Sequence, residues 1–176
     1  SGIDTEPRWA PDGSALYFLS TRSGSSQIWR LALTGGDPLA VTALAEDVGS
    51  FKVAPAGERL VFSMTVKPEP GAKASDKASG QLHDKLFVRH WDTWADGSRS
   101  HLVSVKLDAK GAAGTPVDLS KELDGDTPSK PFGGDEEYAI SPDGKRVVFS
   151  LRVAGRTEPW STNFDLYETP IDGGTT

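Results

Sequence analysis

Three copies of one ten-residue figure stand in the same register along this chain. They are Trp9-Ala-Pro-Asp-Gly-Ser-Ala-Leu-Tyr-Phe18, Val53-Ala-Pro-Ala-Gly-Glu-Arg-Leu-Val-Phe62 and Ile140-Ser-Pro-Asp-Gly-Lys-Arg-Val-Val-Phe149. In each, Pro follows an apolar residue by two positions, Gly follows the Pro by two, and Phe follows the Gly by five. Pro presets φ and Gly takes a conformation other residues resist, so the figure reads as strand, tight turn, strand. Pro11, Pro55 and Pro142 are 44 and 87 residues apart, one and two units of about 43. A period of roughly 40–45 residues with several short strands per unit is that of a β-propeller blade. The expected fold class is all-β: a partial β-propeller of about three four-stranded antiparallel blades, the third lacking its outer strand.

Lettering the strands of a blade a to d from the central channel outward, residues 5–10 form the first a-strand and Ala15–Ser20 the first b-strand. The latter is a nearly continuous apolar run, which suits a strand covered on both faces. The c-strands align as Ile28-Trp-Arg-Leu-Ala-Leu33, Leu102-Val-Ser-Val-Lys-Leu107 and Leu166-Tyr-Glu-Thr-Pro-Ile171, shifted by 74 and 138. For d, Pro38-Leu-Ala-Val-Thr42 matches Pro116-Val-Asp-Leu-Ser120. The blades are expected at 5–44, at 48–121 with a long insertion over 67–101, and at 135–176, incomplete. Two and three-quarter blades leave the flanks of the terminal sheets open, whereas a closed ring covers both sides of every sheet. The chain is therefore expected to be a fragment of a longer propeller protein, or to pair as a homodimer through its open blade faces.

Nineteen glycines and twelve prolines fit a turn every eight to twelve residues. The net charge of −6 argues against nucleic acid and against an anionic membrane as partners, since both need clustered Lys and Arg. No run of 18 apolar residues predicts a membrane span, and no basic-then-apolar segment stands at residue 1. The absence of cysteine excludes disulfides and thiolate metal sites and leaves the compartment, periplasmic or cytoplasmic, open.

The repeats differ in one connection. From the b-strand Phe to the first c-strand residue there are ten positions in the first unit, forty in the second and seventeen in the third. Insertions at one equivalent loop project from one face, often the working face, and the d–a connections open there too. The second-unit insertion, the 155–162 loop and the 128–137 approach to the third a-strand thus crowd one rim. In the insertion, Asp96-Gly97 suggests a chain reversal into a hairpin. Trp91 and Trp94 beside Arg89, His90 and Asp92 make a candidate recognition surface, or rings that pack the hairpin onto the blades. The sharpest charge cluster is Asp135-Glu136-Glu137, whose carboxylates can hold a substrate ammonium group, or form a solvated turn into the strand. Glu158 and Asp165, flanking Trp160, belong to the same rim.

No Gly-x-Ser-x-Gly is present; Gly24-Ser-Ser-Gln-Ile28 comes nearest and lies in a hairpin loop. His83, His90 and His101 have no zinc-site spacing and are expected to be surface or interface histidines, a His90–Asp92 metal site being the alternative, and there is no phosphate loop or dinucleotide fingerprint. No metal, no cofactor and no catalytic residue are expected of this chain.

The Ser-Pro-Asp-Gly turns with Val-Val-Phe-Ser strands resemble propeller repeats of the TolB type and of the prolyl oligopeptidase family. Three longer stretches favour the second: Phe87-Val-Arg-His-Trp-Asp-Thr-Trp-Ala-Asp-Gly97, Pro128-Ser-Lys-Pro-Phe-Gly-Gly-Asp-Glu-Glu137 and Val153-Ala-Gly-Arg-Thr-Glu-Pro-Trp-Ser-Thr-Asn-Phe164. They resemble the N-terminal propeller of bacterial dipeptidyl and acylaminoacyl peptidases of that family. The resemblance implies a serine exopeptidase whose propeller caps a C-terminal α/β-hydrolase domain with a Ser-Asp-His triad and admits only short peptides. It also implies that propeller carboxylates bind the substrate amino terminus in some relatives, for which Asp135, Glu136 and Glu137 are candidates by analogy. The other reading is a TolB-like propeller that serves as a protein-interaction module, with Trp91 and Trp94 as anchors.

Overall fold

The structure is a computed structural model and describes residues 2–67, 86, 89, 90 and 93–176. Three antiparallel sheets follow one another along the chain. The first contains β1 (Asp4–Trp9), β2 (Ala15–Ser20), β3 (Gln27–Ala32) and β4 (Leu39–Ala40), in that spatial order. The second has β5 (Val48–Val53) and β6 (Arg59–Val66), then β9 (Arg99–Lys106) and β10 (Val117–Asp118). Between β6 and β9 a separate two-stranded ribbon pairs β7 (Arg89–His90) with β8 (Thr93–Trp94). The third sheet is β11 (Tyr138–Ile140), β12 (Arg146–Leu151) and β13 (Asp165–Pro170). This meander, repeated twice in full and once without an outer strand, is the partial propeller expected from the repeats.

Period-2 alternation on the middle sheet builds two cores. Leu60, Phe62, Val103 and Val105 face the first sheet and meet Tyr17, Leu19 and Ile28. Val61 and Leu102, one residue out of phase, face the third sheet and meet Val147, Phe149 and Leu151. Phe51, Phe62 and Phe149 are fully buried, each burial stabilising the fold by about 1.5–3 kcal/mol.

Two contacts recur from blade to blade. The Pro11 ring lies against the bare α-carbon of Gly57, where an added Cβ would come within 3.3 Å of it, and the Pro55 ring approaches Gly144 in the same sense at 3.8 Å. These glycines have φ of +75° and +71°, so the turn needs them for its backbone as well. On the inner strands, the Arg8 guanidinium sits over the Phe51 ring (5.9 Å) and the equivalent Lys52 ammonium over the Tyr138 ring (5.1 Å).

The outer strands are two residues long where the sequence suggests five. A side-chain hydroxyl enters the ladder in both: the Ile28 amide donates to Thr42 Oγ1 (2.9 Å) and the Leu102 amide to Ser120 Oγ (3.3 Å). The ribbon also reverses earlier than Asp96-Gly97 suggests, since Arg89 already pairs with Trp94. Asp96 instead makes a local turn, its carboxylate accepting the Ser98 amide at 2.9 Å.

Candidate functional site

The inner strands of the first two blades carry the same irregularity. Between Thr5 and Arg8 the first strand holds one residue more than its partner, and between Val48 and Phe51 so does the second. Such bulges bend a strand and re-aim its side chains. In the third blade a 3-10 turn, Asp135–Glu137, precedes the short β11. These three irregular segments meet around a cavity of about 420 Å³, whose walls include Glu6, Ser50, Ser63, Ser129, Asp135 and Glu136.

The three carboxylates of the turn have different roles. Asp135 joins all three blades, accepting a hydrogen bond from Arg8 Nη2 (3.0 Å) with Lys52 Nζ at 4.0 Å. Glu137 is turned away to Ser129, whose amide and hydroxyl donate to its two oxygens at 2.7 Å each. Glu136 accepts the Gly134 amide at 3.1 Å and is exposed at the cavity wall.

Glu6 was not among the residues singled out from the sequence. It has φ +49°, a left-handed conformation that costs a non-glycine residue about 1–2 kcal/mol. Its Oε2 is buried without a hydrogen-bond partner, 3.5 Å from Arg8 Nη2. Burial raises the Glu6 pKa above the ordinary carboxylate value; the Arg8 charge opposes the shift and the Asp135 charge adds to it. Behind it, the Ser63, Ser50 and Tyr138 hydroxyls form a chain at 3.0 and 3.2 Å, and burial pushes the Tyr138 phenol upward. The repeat held a signal for Glu6: moving Asp135-Glu136-Glu137 back by the 131 residues between Pro142 and Pro11 lands on Asp4-Thr5-Glu6.

Glu158 lies elsewhere on the rim, in a salt cluster. Arg99, at the start of β9, donates from Nη1 and Nη2 to the two Glu158 oxygens (2.8 and 3.1 Å), from Nη1 to Asp126 (3.1 Å), and from Nε and Nη2 to Asp124 (3.0 and 2.8 Å). The Glu158 hydrogen bonds are the largest of the interactions that hold the Arg99 guanidinium protonated above its ordinary value. The cluster ties the end of the insertion, the approach to the third blade and the 155–162 loop together. Trp160 on that loop is exposed, and Trp94 in the ribbon lies 5.5 Å from the Arg89 guanidinium carbon. Among the described residues, the walls of the cavity include neither Trp94, Glu158 nor Trp160. Trp91 and Asp92 lie outside the described residues, as does a metal site between His90 and Asp92. His101 is buried, its Nδ1 2.7 Å from Asp118 Oδ2 on the outer strand.

Fold and rim together define the class: a sector of a β-propeller with long, charged connections on one rim. No family model matches the chain. It is similar to the dipeptidyl-peptidase 5 of Porphyromonas endodontalis, 29% identical over 97% of this chain and 25% of that protein, and to that of Porphyromonas gingivalis, 27% identical over 97% and 25%. Among solved structures, Pyrococcus horikoshii acylaminoacyl peptidase shares the fold over 97% of this chain and 24% of its own, with a TM-score of 0.56 and 16% identity. The peptidase resemblance carried by the long motifs thus holds over nearly the whole chain. The chain spans about a quarter of the length of the curated relatives it matches.

Proposed function

We propose that this chain is a non-catalytic propeller segment that caps and gates access to a serine exopeptidase of the dipeptidyl or acylaminoacyl type. The hydrolase would be a C-terminal α/β domain and the ligands short peptides. The observation that carries this reading is the similarity to dipeptidyl-peptidase 5 across 97% of the chain, confined to a quarter of the relative's length. The rim chemistry supports it. A cavity walled by carboxylates and hydroxyls accepts hydrogen bonds, and an ammonium group offers three donors and a compensating charge. Of the predicted cluster Asp135, Glu136 and Glu137, Glu136 keeps the most acceptor capacity toward the cavity, and Glu6 Oε2 adds a second acceptor.

The test is calorimetric titration of the chain with a short peptide amide bearing a free amine, against its N-acetylated form. Tighter binding of the free amine, reduced by Glu136→Gln and Glu6→Gln, is expected, with no turnover of dipeptidyl reporters by this chain. Equal affinity for the two peptides would remove the amine-binding role. Hydrolysis by the isolated chain would remove the non-catalytic one.

A further inference from the structure

The charges around the cavity do not balance. Three carboxylates stand on its wall: Glu6, Asp135 and Glu136. Two cations answer them. Arg8 Nη2 lies 3.0 Å from Asp135 and 3.5 Å from Glu6, so one guanidinium nitrogen is shared between two carboxylates. Lys52 Nζ favours the same partner, 4.0 Å from Asp135, and rests over the Tyr138 ring. Lys130, also on the wall, is committed to Asp126 at 3.3 Å. Glu137, on the same turn as Asp135, adds a negative charge rather than removing one. Among the described residues that face the site, the wall carries an excess negative charge when its carboxylates are ionised.

The excess falls on Glu6. Its Oε2 is buried with no hydrogen-bond partner, while the side chain as a whole is partly exposed and belongs to the cavity wall. The carboxyl therefore has one closed side and one side on the cavity. The nearby hydroxyls of Ser63, Ser50 and Tyr138 are already bonded in a chain among themselves. A carboxylate so placed lowers its cost either by taking a proton or by meeting a cation. Burial favours the proton; the Arg8 charge opposes it, the Asp135 charge supports it and the Phe51 amide opposes it.

We propose that a proton and a ligand ammonium compete for the Glu6 carboxylate. When Glu6 is protonated, the arriving ammonium keeps its three hydrogens and the proton leaves the carboxyl for solvent. A carboxylate–ammonium pair then remains on the cavity wall. Affinity falls with pH under this exchange, by up to about tenfold per pH unit for one exchanged proton. The competition rests on the amine-binding reading above and adds its regulation: acidification releases the bound amine.

Calorimetric titration of the chain with the free-amine peptide amide tests it, from neutral pH down into the ordinary carboxylate range. Each titration is run in succinate and in MES, whose ionisation enthalpies differ, and circular dichroism confirms that each variant is folded. The wild-type chain should release up to one proton per peptide, read from the enthalpy difference between buffers, and should bind more weakly as pH falls. Glu6→Gln should bind more weakly at neutral pH and release no proton, whereas Glu136→Gln should still release one, since the burial of Glu6 is unchanged. Tighter binding of the free amine than of the acetylated peptide, with no buffer dependence, would overturn the competition and leave the amine-binding reading standing. Undiminished release by Glu6→Gln would overturn it by placing the proton on another group. Equal binding of the two peptides would remove the reading and the competition together.

Discussion

Arg99→Ala isolates what holds the rim together. The guanidinium makes five charge-assisted hydrogen bonds to three carboxylates. They are not equal. Asp124 is 52% exposed, and such a pair is worth roughly 0–1 kcal/mol. Asp126 and Glu158 are 14% and 15% exposed, with Arg99 itself at 19%, so their charges have lost much of their hydration. After truncation, Asp126 keeps the Ser100 amide (2.7 Å) and Lys130 (3.3 Å), but Glu158 loses its bidentate partner. A part-buried charge left unpaired costs about 1.5–3 kcal/mol, and the total expected is about 2–4 kcal/mol. Urea denaturation at neutral pH and low salt measures it. Arg99→Lys should recover less than half, because a point charge cannot reach three carboxylates as a planar fork does. Hydrogen exchange should rise in 121–131 and 155–162 while the b-strands stay protected. A loss below about 1 kcal/mol, or exchange spread evenly over the sheets, would refute the reasoning that this cluster fastens the rim loops.

Two further substitutions probe the inner wall and the turns. The folded-state pKa of Glu6 is raised, so its contribution to stability is present below the ordinary carboxylate value and lost as pH rises through the folded value. Glu6→Gln should therefore be more stable than wild type near pH 7, with the gap closing in thermal melts as pH falls into the ordinary carboxylate range; a variant less stable at neutral pH would contradict this. Gly13→Ala and Gly57→Ala place a methyl at nearly the same φ, +71° and +75°, each costing about 1 kcal/mol for the backbone. Only the second meets a neighbour, Pro11 Cδ at 3.3 Å, so in dilute solution it should lose a further ~0.5–1 kcal/mol. Equal losses by chemical denaturation would show that the proline-on-glycine contact carries no packing.

The parts of the fold legible in the sequence are those set by local chemistry. Pro and Gly at fixed offsets located all three a–b turns, and the apolar run after the first gave β2 its observed bounds, Ala15–Ser20. The outer strands are shorter than their sequence suggests because a hydroxyl entering a ladder leaves no periodic trace: Thr42 and Ser120 look like ordinary strand residues. The salt cluster was illegible for another reason. Arg99 is 25 residues from Asp124 and 59 from Glu158, so their meeting depends on two blades already being in register. His101, a surface or interface histidine on sequence grounds, is buried because the outer strand brings Asp118 to its Nδ1.

The same distinction bears on how much charge the rim can offer a ligand. Read linearly, Asp135, Glu136, Glu137 and Glu158 are four equivalent acceptors. Folded, three of them answer groups that no local pattern reveals: Arg8 and Lys52 at Asp135, Ser129 at Glu137 and Arg99 at Glu158. These partners make Asp135 and Glu158 struts between blades and pin Glu137 within its own approach loop, so neutralising them should act on stability before it acts on binding. Glu136 is held by one amide, and Glu6 keeps one buried oxygen without a hydrogen bond on a strained backbone. Strain and an unmet acceptor persist only where the surrounding structure enforces them. Glu6, contributed by the first blade to a cavity otherwise walled by the second and third, is therefore where a ligand-dependent change in affinity and a gain in stability should appear in the same variant.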